Sequence, residues 1–178
     1  LFLMVRKSTL LAQRQQAQMR HLLDNIPDMV WLKNVEGAYL FCNPSFERFF
    51  GENESKIVGR KDYDFVSPEV ADSFQQKDKE AITADGAVKN QEWITLAAEG
   101  KRILLETIKK PLVDENGNVL GLLGIGRDIT ALYEAQESLL QSEFMMKSIF
   151  KVSPIGIGLV SNRVLLEVND YLCKITGY

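Results

Sequence analysis

Residues 88–129 constrain the fold of this chain more than any other segment, because they contain three β-strand patterns joined by very short connections. Glu99-Gly100 forms the first predicted turn, and the second contains Asn116-Gly117, a pair that favours tight hairpin turns. Parallel strands need a crossover of a dozen or more residues, which these connections do not provide. The segment therefore predicts an antiparallel meander of three strands, over residues 88–97, 102–113 and 119–129.

A second set of strand and helix signals precedes the meander. Residues 29–32 and 39–42 are rich in aromatic and aliphatic side chains and flank a turn at Gly37, which predicts a β-hairpin. Asn43 followed by Pro44 is typical of a helix start, because asparagine caps the helix and proline fits its first position. The predicted helices cover about residues 44–50, 54–58 and 68–84, and Asp85-Gly86 is expected to end the last of them.

Composition and charge exclude several functions. The 178 residues carry a formal net charge of −3, so the chain lacks the basic character of nucleic-acid-binding proteins, and no nucleic-acid partner is expected. The two cysteines, Cys42 and Cys173, are far apart and indicate neither a disulfide framework nor a zinc site. The chain contains no P-loop and no nucleophile–base set, so we expect a regulatory segment without catalytic activity of its own.

Three glycines, Gly121, Gly124 and Gly126, interrupt the last strand of the meander. A phosphate-binding loop needs its glycines between a strand and the start of a helix, so these do not form a nucleotide site. Glycines inside a strand instead indicate that another group approaches the backbone closely.

Helical patterns flank the predicted sheet on both sides. Residues 8–26 contain good helix formers without proline or glycine, and Pro27 is expected to end this helix. Residues 131–150 show an apolar spacing of three and four residues with two polar interruptions. We expect the two helices to pair with their copies in a homodimer.

The apolar stretch Leu1–Val5 is followed at once by Arg6 and Lys7. Five residues are too few to cross a membrane, which needs about 20. The stretch is compatible with the end of an upstream membrane span or with the start of a helix, and the residues favour neither. Basic residues after a span mark its cytoplasmic side, so the first alternative predicts a cytoplasmic location at the inner membrane.

The last 30 residues repeat the beginning of the predicted domain. Pro154, Asn169 and Gly177 match Pro27, Asn43 and Gly51, with a period near 126 residues. A second domain of the same kind therefore starts here and is cut off, and its apolar side chains Ile155, Ile157 and Leu159 should be exposed. The predicted organisation is a helix over 1–23, a domain over 24–130, a linker helix over 131–148 and the truncated second copy over 149–178.

Two motifs resemble the PAS family when they occur at this separation. The first runs from Asn43 to Gly51 and reads Asn-Pro-Ser-Phe-Glu-Arg-Phe-Phe-Gly, and the second is Arg127-Asp128-Ile129-Thr130 before the second helical segment. The resemblance covers residues 24–130 and again 149–178. It implies an α+β fold in which a five-stranded antiparallel sheet carries helices on one face, with a ligand pocket between them. It also implies a position upstream of a histidine kinase or a diguanylate cyclase.

The resemblance suggests which residues would bind a ligand. Each also has a simpler interpretation as a core residue, because buried aromatic side chains stabilise any domain of this size. Tyr63 and Trp93 have polar groups and are the better ligand candidates, and an unfilled cavity lined by them would favour ligand binding over a filled core. The candidates are Phe46, Phe49, Phe50, Ile57, Tyr63, Phe65, Phe74, Trp93 and Thr107.

Asp128, Ile129 and Thr130 join the last strand to the following helix, and in similar PAS domains this triplet relays the signal to the output domain. A simple helix cap is the alternative, and the two roles are compatible.

No cofactor is predicted. The helix over 68–84 contains no histidine, so haem ligation is not supported, and the Asn-Cys-Arg-Phe motif of flavin photosensors is absent. His21 lacks the residues that follow a phospho-accepting histidine, Cys42 is expected to be a small core residue, and Glu106 and Lys109 are expected to face solvent. The leading interpretation is a sensory and relay module of a histidine kinase. The alternatives are a diguanylate cyclase module, a domain that binds an unknown small ligand, or a ligand-free dimerisation spacer.

Overall fold

The computed structural model describes residues 2–84 and 86–177, so Leu1, Asp85 and Tyr178 lie outside the described residues. The chain divides into two units, Leu1–Thr130 and Ala131–Tyr178, and each is described by itself. In the first unit the helices are α1 (Phe2–Asp24), α2 (Pro44–Phe50), α3 (Glu54–Ile57) and α4 (Pro68–Thr83), and the strands are β1 (Met29–Asn34), β2 (Tyr39–Cys42), β3 (Val88–Thr95), β4 (Arg102–Val113) and β5 (Val119–Asp128).

The strands form one antiparallel sheet in the order β2-β1-β5-β4-β3. The predicted hairpin is β1–β2 and the predicted meander is β3–β4–β5, so both are confirmed together with the five-stranded sheet. β1 pairs with β5, with Met29 opposite Gly126 and Asn34 opposite Gly121. This pairing brings the first and last strands of the unit together at the centre of the sheet.

One face of the sheet is covered by the short helices and α4. Alternate residues of β4, such as Ile103 and Leu105, point to this inner face and are buried, as the two-residue period of a strand requires. Phe46 of α2 contacts Trp31 of β1 and Tyr39 of β2, with ring centroids 5.0 and 5.5 Å apart. These aromatic rings form the core of the domain.

Gly124 allows the closest approach across the sheet. A Cβ atom at this position would lie 2.1 Å from Cε2 of Trp31, so any side chain would collide with the indole ring. At Gly121 a Cβ atom would lie 2.3 Å from the carbonyl oxygen of Lys33. The prediction that strand glycines permit a close approach is therefore confirmed.

α5 (Thr130–Val152) follows the sheet directly and buries none of its side chains. Leu132, Leu139 and Met146, which belong to the predicted apolar seam, are 68%, 61% and 63% exposed. None of the helices among the described residues combines the length and the apolar character that a membrane crossing requires.

The second unit contains a hairpin and a short helix, namely β6 (Gly158–Ser161), β7 (Val164–Val168) and α6 (Asp170–Thr176). Asn169 caps α6 by accepting from the backbone N–H of Leu172, and Gly177 ends it with a left-handed conformation. Asn43 and Gly51 have the same roles at α2. This similarity supports the predicted second copy, whose assignment as a domain stays a prediction. Ile155 and Leu159 are exposed, as expected, whereas Ile157 is half-buried.

Candidate functional site

A cavity of about 30 Å³ lies between the inner face of the sheet and the helices. Most of its wall is apolar, and the aromatic rings come from β1, α2 and α4. Four polar side chains, Lys33, Glu92, Thr107 and Lys109, complete the wall. The apolar residues are Met29, Trp31, Phe46, Phe49, Phe74, Ile94 and Leu105.

The structure brings together only some of the residues predicted to bind a ligand. Phe46, Phe49, Phe74 and Thr107 line the cavity. Phe50, Ile57 and Phe65 pack in the adjoining hydrophobic core instead, and the rings of Phe50 and Phe65 stack with centroids 4.4 Å apart.

The prediction that Tyr63 and Trp93 would line the interior is wrong. Tyr63 is 47% exposed, and its hydroxyl donates a hydrogen bond to Asp72 on the surface. Trp93 is 43% exposed, because in β3 the inner positions belong to Glu92 and Ile94. The guanidinium carbon of Arg102 lies 5.1 Å from the centroid of the Trp93 ring.

A buried network of charges occupies one end of the cavity. The ammonium group of Lys33 donates to Asp62 over 2.6 Å and to Asp78 over 2.8 Å. Lys109 donates to the other oxygen of Asp78, and the Tyr39 hydroxyl donates to Asp62 over 2.6 Å. All five residues are buried, each less than a tenth exposed. The expectation that Lys109 faces solvent is therefore wrong, because its odd-numbered position in β4 points inward and Asp78 supplies the opposite charge.

The network is electrically balanced, with two lysines and two aspartates. Burial raises the pKa of the Tyr39 hydroxyl well above its ordinary value, and the adjacent Asp62 carboxylate acts in the same direction. Burial also lowers the pKa of Lys109, while Asp78 opposes this shift. Tyr39 therefore stays protonated as a donor, which fits its hydrogen bond to Asp62.

Glu106, also expected to face solvent, lies on the outer face of the sheet. Gln91 and Lys89 contact its carboxylate over 2.8 Å each, and the hydrogen bond from Lys89 lowers its pKa.

Cys42 is fully buried, as predicted, and burial raises the pKa of its thiol to about 12, so it is not a reactive thiolate. Within residues 2–84 and 86–177, no group of three or more His, Cys, Asp and Glu side chains could hold a metal ion.

The junction between β5 and α5 is tied to the neighbouring strand β4. The backbone N–H of Ile129 donates to the carbonyl of Leu104 over 2.9 Å, and the N–H of Leu104 donates to the Thr130 hydroxyl oxygen over 2.8 Å. Asp128 accepts hydrogen bonds from both the backbone N–H and the hydroxyl of Thr130. The start of α5 is therefore fixed to one residue of the sheet, and Asp128 has the predicted capping geometry.

Asn43 connects the other end of the domain. Its side-chain oxygen accepts from the N–H groups of Val30 and Phe46, at 2.9 and 3.1 Å. Its side-chain nitrogen lies 3.2, 3.2 and 2.9 Å from the carbonyl oxygens of Leu23, Ile26 and Asp28. The Asn43 amide thus caps α2, binds the backbone of β1 at Val30 and binds the last turn of α1 at Leu23. The sequence predicted only the first of these contacts.

Arg20 forms a second contact between α1 and the domain. Its guanidinium group binds both carboxylate oxygens of Glu54, at 2.8 and 2.6 Å, and lies 4.8 Å from the centroid of the Phe41 ring. Glu54 also accepts from the backbone N–H of Cys42 over 3.2 Å. The last turns of α1 are therefore attached to β2 and α3.

Comparison with known proteins decides the family. A family model described as PAS fold matches residues 23–134, which is more than half of the chain. This chain belongs to the PAS family. The match begins at the end of α1 and ends in the first turn of α5, so it covers the sheet, the cavity and both junctions of the PAS domain.

The relatives of this PAS domain are signalling proteins. It is 31% identical over 133 residues to the methanogenesis regulatory histidine kinase FilI of Methanothrix harundinacea, and 30% identical over 127 residues to the aerobic respiration control sensor protein ArcB of Escherichia coli. A diguanylate cyclase of Vibrio cholerae is 28% identical over 133 residues. The matches cover 75%, 71% and 74% of this chain but only 15%, 16% and 41% of the three relatives.

Solved PAS domains have the same fold. A PAS domain from Colwellia psychrerythraea superposes with a TM-score of 0.53 at 22% identity, over 68% of this chain and 98% of its own. The PAS domain of an HTR-like protein from Haloarcula marismortui gives 0.56 at 22% identity, over 70% of this chain and 99% of its own.

Proposed function

We propose that this PAS domain senses or relays a signal that controls a downstream output domain, and that this output is a histidine kinase. The observation that carries the proposal is the attachment of α5 to the sheet. Both backbone groups of Leu104 bind the Ile129–Thr130 segment, so a shift of β4 moves the start of the helix that leads onward. The kinase output is supported by the FilI and ArcB relatives.

The same proposal gives α1 and α5 a role in a homodimer. Leu11, Met19 and Leu22 of α1 are 61%, 59% and 64% exposed, and the α5 seam is exposed as well. Pairing with a second copy across a two-fold axis would bury these side chains. A signal would then act by shifting the packing of the paired helices between two states. We place the domain in the cytoplasm, with the basic residues after Val5 near the inner membrane.

A diguanylate cyclase is the second candidate for the output, because the Vibrio cholerae relative has this activity in its name and shares 28% of the aligned residues. A ligand-free dimerisation spacer is the third alternative. The small volume of the cavity favours it, because 30 Å³ holds only about two water molecules.

A fusion protein tests the relay. Residues 1–148 would be joined to the dimerisation and catalytic domains of a histidine kinase, in a series with linkers that differ by one residue. Asp128→Ala removes two hydrogen bonds at the start of α5. We expect it to change autophosphorylation about fivefold or more, the lower range of allosteric coupling, while the domain stays folded.

Asp114→Ala is the matched control, since Asp114 also accepts backbone hydrogen bonds, but in the turn at the opposite end of β4 and β5 from the junction. It should leave autophosphorylation unchanged. Normal regulation in Asp128→Ala would overturn the relay role, and an equal effect of both variants would indicate a general loss of stability.

A further inference from the structure

We propose that β3, at one edge of the sheet, pairs antiparallel with β3 of a second copy of this chain, with Gln91 opposite Gln91 on a two-fold axis. This contact goes beyond the proposed relay function and is separate from the pairing of α1 and α5. It depends on the open edge of the sheet, on the order of side chains along β3 and on a groove beside the strand.

β3 is a long and regular edge strand. It has eight residues without proline, and it pairs with β4 without a register shift. The opposite edge strand, β2, has only four residues and an irregular register with its neighbour. Proteins usually protect edge strands by short length, bulges, proline or charged side chains, because an open edge can pair with another chain. Of these devices β3 has only its charged residues, Lys89 and Glu92.

The outer side chains of β3 complement those of a second copy. Lys89, Gln91 and Trp93 are all exposed on this face. With Gln91 opposite its copy, the two amides can bond each other, because each donates and accepts. Lys89 then lies opposite Trp93 of the second copy, and an ammonium group is attracted by an indole ring. The two-fold axis produces this pair twice.

The inner side chains of β3 match in the same register. Val88 lies opposite Ile94 of the second copy, and both are half-buried apolar residues. Asn90 lies opposite Glu92 of the second copy, and within one chain this amide already donates to Glu92 over 3.1 Å. Lys77 neutralises the same carboxylate over 2.6 Å. The pairing therefore buries no uncompensated charge on the inner face.

Neighbouring registers are less favourable. Opposite residues in one continuous sheet share a face, so the register can shift only in steps that keep this alternation. A centre at Glu92 would place two carboxylates directly opposite each other, which is destabilising. A centre at Asn90 would place Val88 opposite the Glu92 carboxylate. The centre at Gln91 avoids both conflicts.

A groove of about 540 Å³ between α4 and β3 leaves room for the second strand. Its apolar wall includes Val70, Phe74 and Ile94, and Val70 is 41% exposed. Val88 of the second copy, opposite Ile94, would lie on the inner face at this groove. Pairing would therefore cover apolar surface in addition to satisfying the backbone groups of the edge.

The contact would join two five-stranded sheets into one continuous sheet. Only one strand of each copy takes part, and interfaces below about 1,200 Å² are typical of weak association. A chain that also pairs through α1 and α5 would have two different two-fold contacts, which link dimers into larger assemblies.

Disulfide trapping in the full chain tests the centre of the register. Directly opposite residues of antiparallel strands have Cα atoms about 4.5–5.5 Å apart, which a disulfide can span. Gln91→Cys should therefore link two copies under mild oxidation, and mass spectrometry would identify the linked peptides. Thr95→Cys is the matched control, because it is exposed in the same strand. Its two copies would lie about 27 Å apart, so it should link about tenfold more slowly or less.

A mixture of two variants tests the remaining pairs. Lys89→Cys and Trp93→Cys should each link poorly alone, because their own copies would lie about 14 Å apart along the strands. The mixture should give a product that joins position 89 of one copy to position 93 of the other. A mixed product that forms no faster than the products of the single variants would overturn the register.

Hydrogen exchange tests the contact without cysteines. The amide hydrogens of β3 should exchange more slowly as the protein concentration rises, because pairing covers the edge. Gln91→Lys places two ammonium groups opposite each other and can still contact Glu106, as Gln91 does. It should raise the concentration required for this protection about fivefold. Thr95→Lys adds the same charge away from the axis and should leave the protection unchanged.

Equal linking of Gln91→Cys and Thr95→Cys, or exchange in β3 that is independent of protein concentration, would overturn the contact. A disulfide between the thiol at position 91 and Cys173 would assign the edge to the second unit of another copy and overturn pairing between β3 strands. Protection confined to α5 would show helix pairing alone and likewise overturn the contact. These readouts need no output domain, so they are distinct from a failure of the relay.

Discussion

Replacing Asn43 by aspartate would separate the two functions of its buried side chain. The substitution keeps the oxygen that accepts from Val30 and Phe46, and therefore keeps the helix cap. It replaces the nitrogen that donates to the carbonyl oxygens of Leu23, Ile26 and Asp28 by a second oxygen. Asn43→Asp should therefore weaken the connection between α1 and the sheet and keep the cap of α2.

The size of the effect follows from the contacts. An amide nitrogen has two protons, so two net hydrogen bonds of about 1 kcal/mol each are lost. The introduced carboxylate oxygen would face three carbonyl oxygens at a site that is fully buried. An uncompensated buried charge typically costs about 3–5 kcal/mol, which we expect as the loss in the free energy of unfolding at pH 8.

The loss should depend on pH with a defined sign. Burial among carbonyl oxygens disfavours the charged form, so the introduced carboxyl group has a raised pKa in the folded state relative to about 3.9 in the unfolded state. The folded protein then binds more protons than the unfolded one, and stability falls as pH rises above 4. Near pH 4 the protonated group can donate once, so only about 1 kcal/mol of the loss should remain.

Urea unfolding followed by circular dichroism at pH 4, 6 and 8 measures this dependence. Asn116→Asp is the matched control, because Asn116 is exposed in the β4–β5 turn, and its stability should stay within about 0.5 kcal/mol of the original. A variant at Asn43 that is as stable as the original protein at pH 8 would refute the role assigned to the side-chain nitrogen.

Three further predictions concern stability. Asp78→Asn should lower the free energy of unfolding by about 3–5 kcal/mol in urea titrations, because both buried lysines lose an anionic partner, and a loss below about 1 kcal/mol would contradict the network. Gly124→Ala should lower the free energy of unfolding by about 1–3 kcal/mol, because the new methyl group collides with the indole ring of Trp31. Gly126→Ala meets only the flexible end of the Leu105 side chain and should lower the melting temperature less. A larger loss in Gly126→Ala than in Gly124→Ala would contradict this geometry. The hydrogen bond from Arg20 lowers the pKa of Glu54, so its stabilisation is present above pH 4.3, the ordinary value, and is lost as pH falls through the lower pKa of the folded state. Because the pair is partly exposed, Glu54→Gln should be only about 1 kcal/mol less stable at pH 7. This difference should shrink as the pH falls below about 4.3, and a difference that stays constant down to low pH would show that the charge is not its cause.

Sequence reasoning succeeded where the signals are local. Asn43-Pro44 and Gly51 specify a short helix through a cap, a fixed φ angle and a left-handed end, all within nine residues. The turn at Asn116-Gly117 likewise determines that β4 and β5 are antiparallel neighbours. Each of these features depends on residues next to one another, so no knowledge of the tertiary structure was required.

The charge network could not be predicted in this way. Lys33 is 29 residues from Asp62 and 45 from Asp78 in the sequence, and Lys109 is 31 from Asp78. A lone lysine in a strand is normally exposed, and only its distant partners make burial favourable. One feature of β4 does predict the burial of Lys109, because it continues the two-residue alternation of the buried residues Ile103, Leu105 and Thr107.

Trp93 shows a different limit. Strand residues alternate between the two faces, so an error of one position exchanges the whole inward set for the outward set. In β3 the inward residues are Glu92 and Ile94. The sequence favoured Trp93 as an inward residue because it is large and aromatic, whereas Glu92 is charged. The sheet register, with Trp93 opposite Leu104, resolves this ambiguity.

The bare surface of α5 has a consequence for the timescales of motion. None of its 23 residues is buried, so beyond the hydrogen bonds to Leu104 at its start mainly intrinsic helix propensity opposes local unfolding, and segments of this kind open at little cost in free energy. β4 is hydrogen-bonded on both sides and should open only with the whole domain. Amide hydrogens should therefore exchange with solvent within seconds along α5 and over hours in β4, with the steepest change at Thr130. The sheet would then open slowly and the helix attached to it quickly. A second copy packed on α5 would slow the exchange of the α5 amide hydrogens.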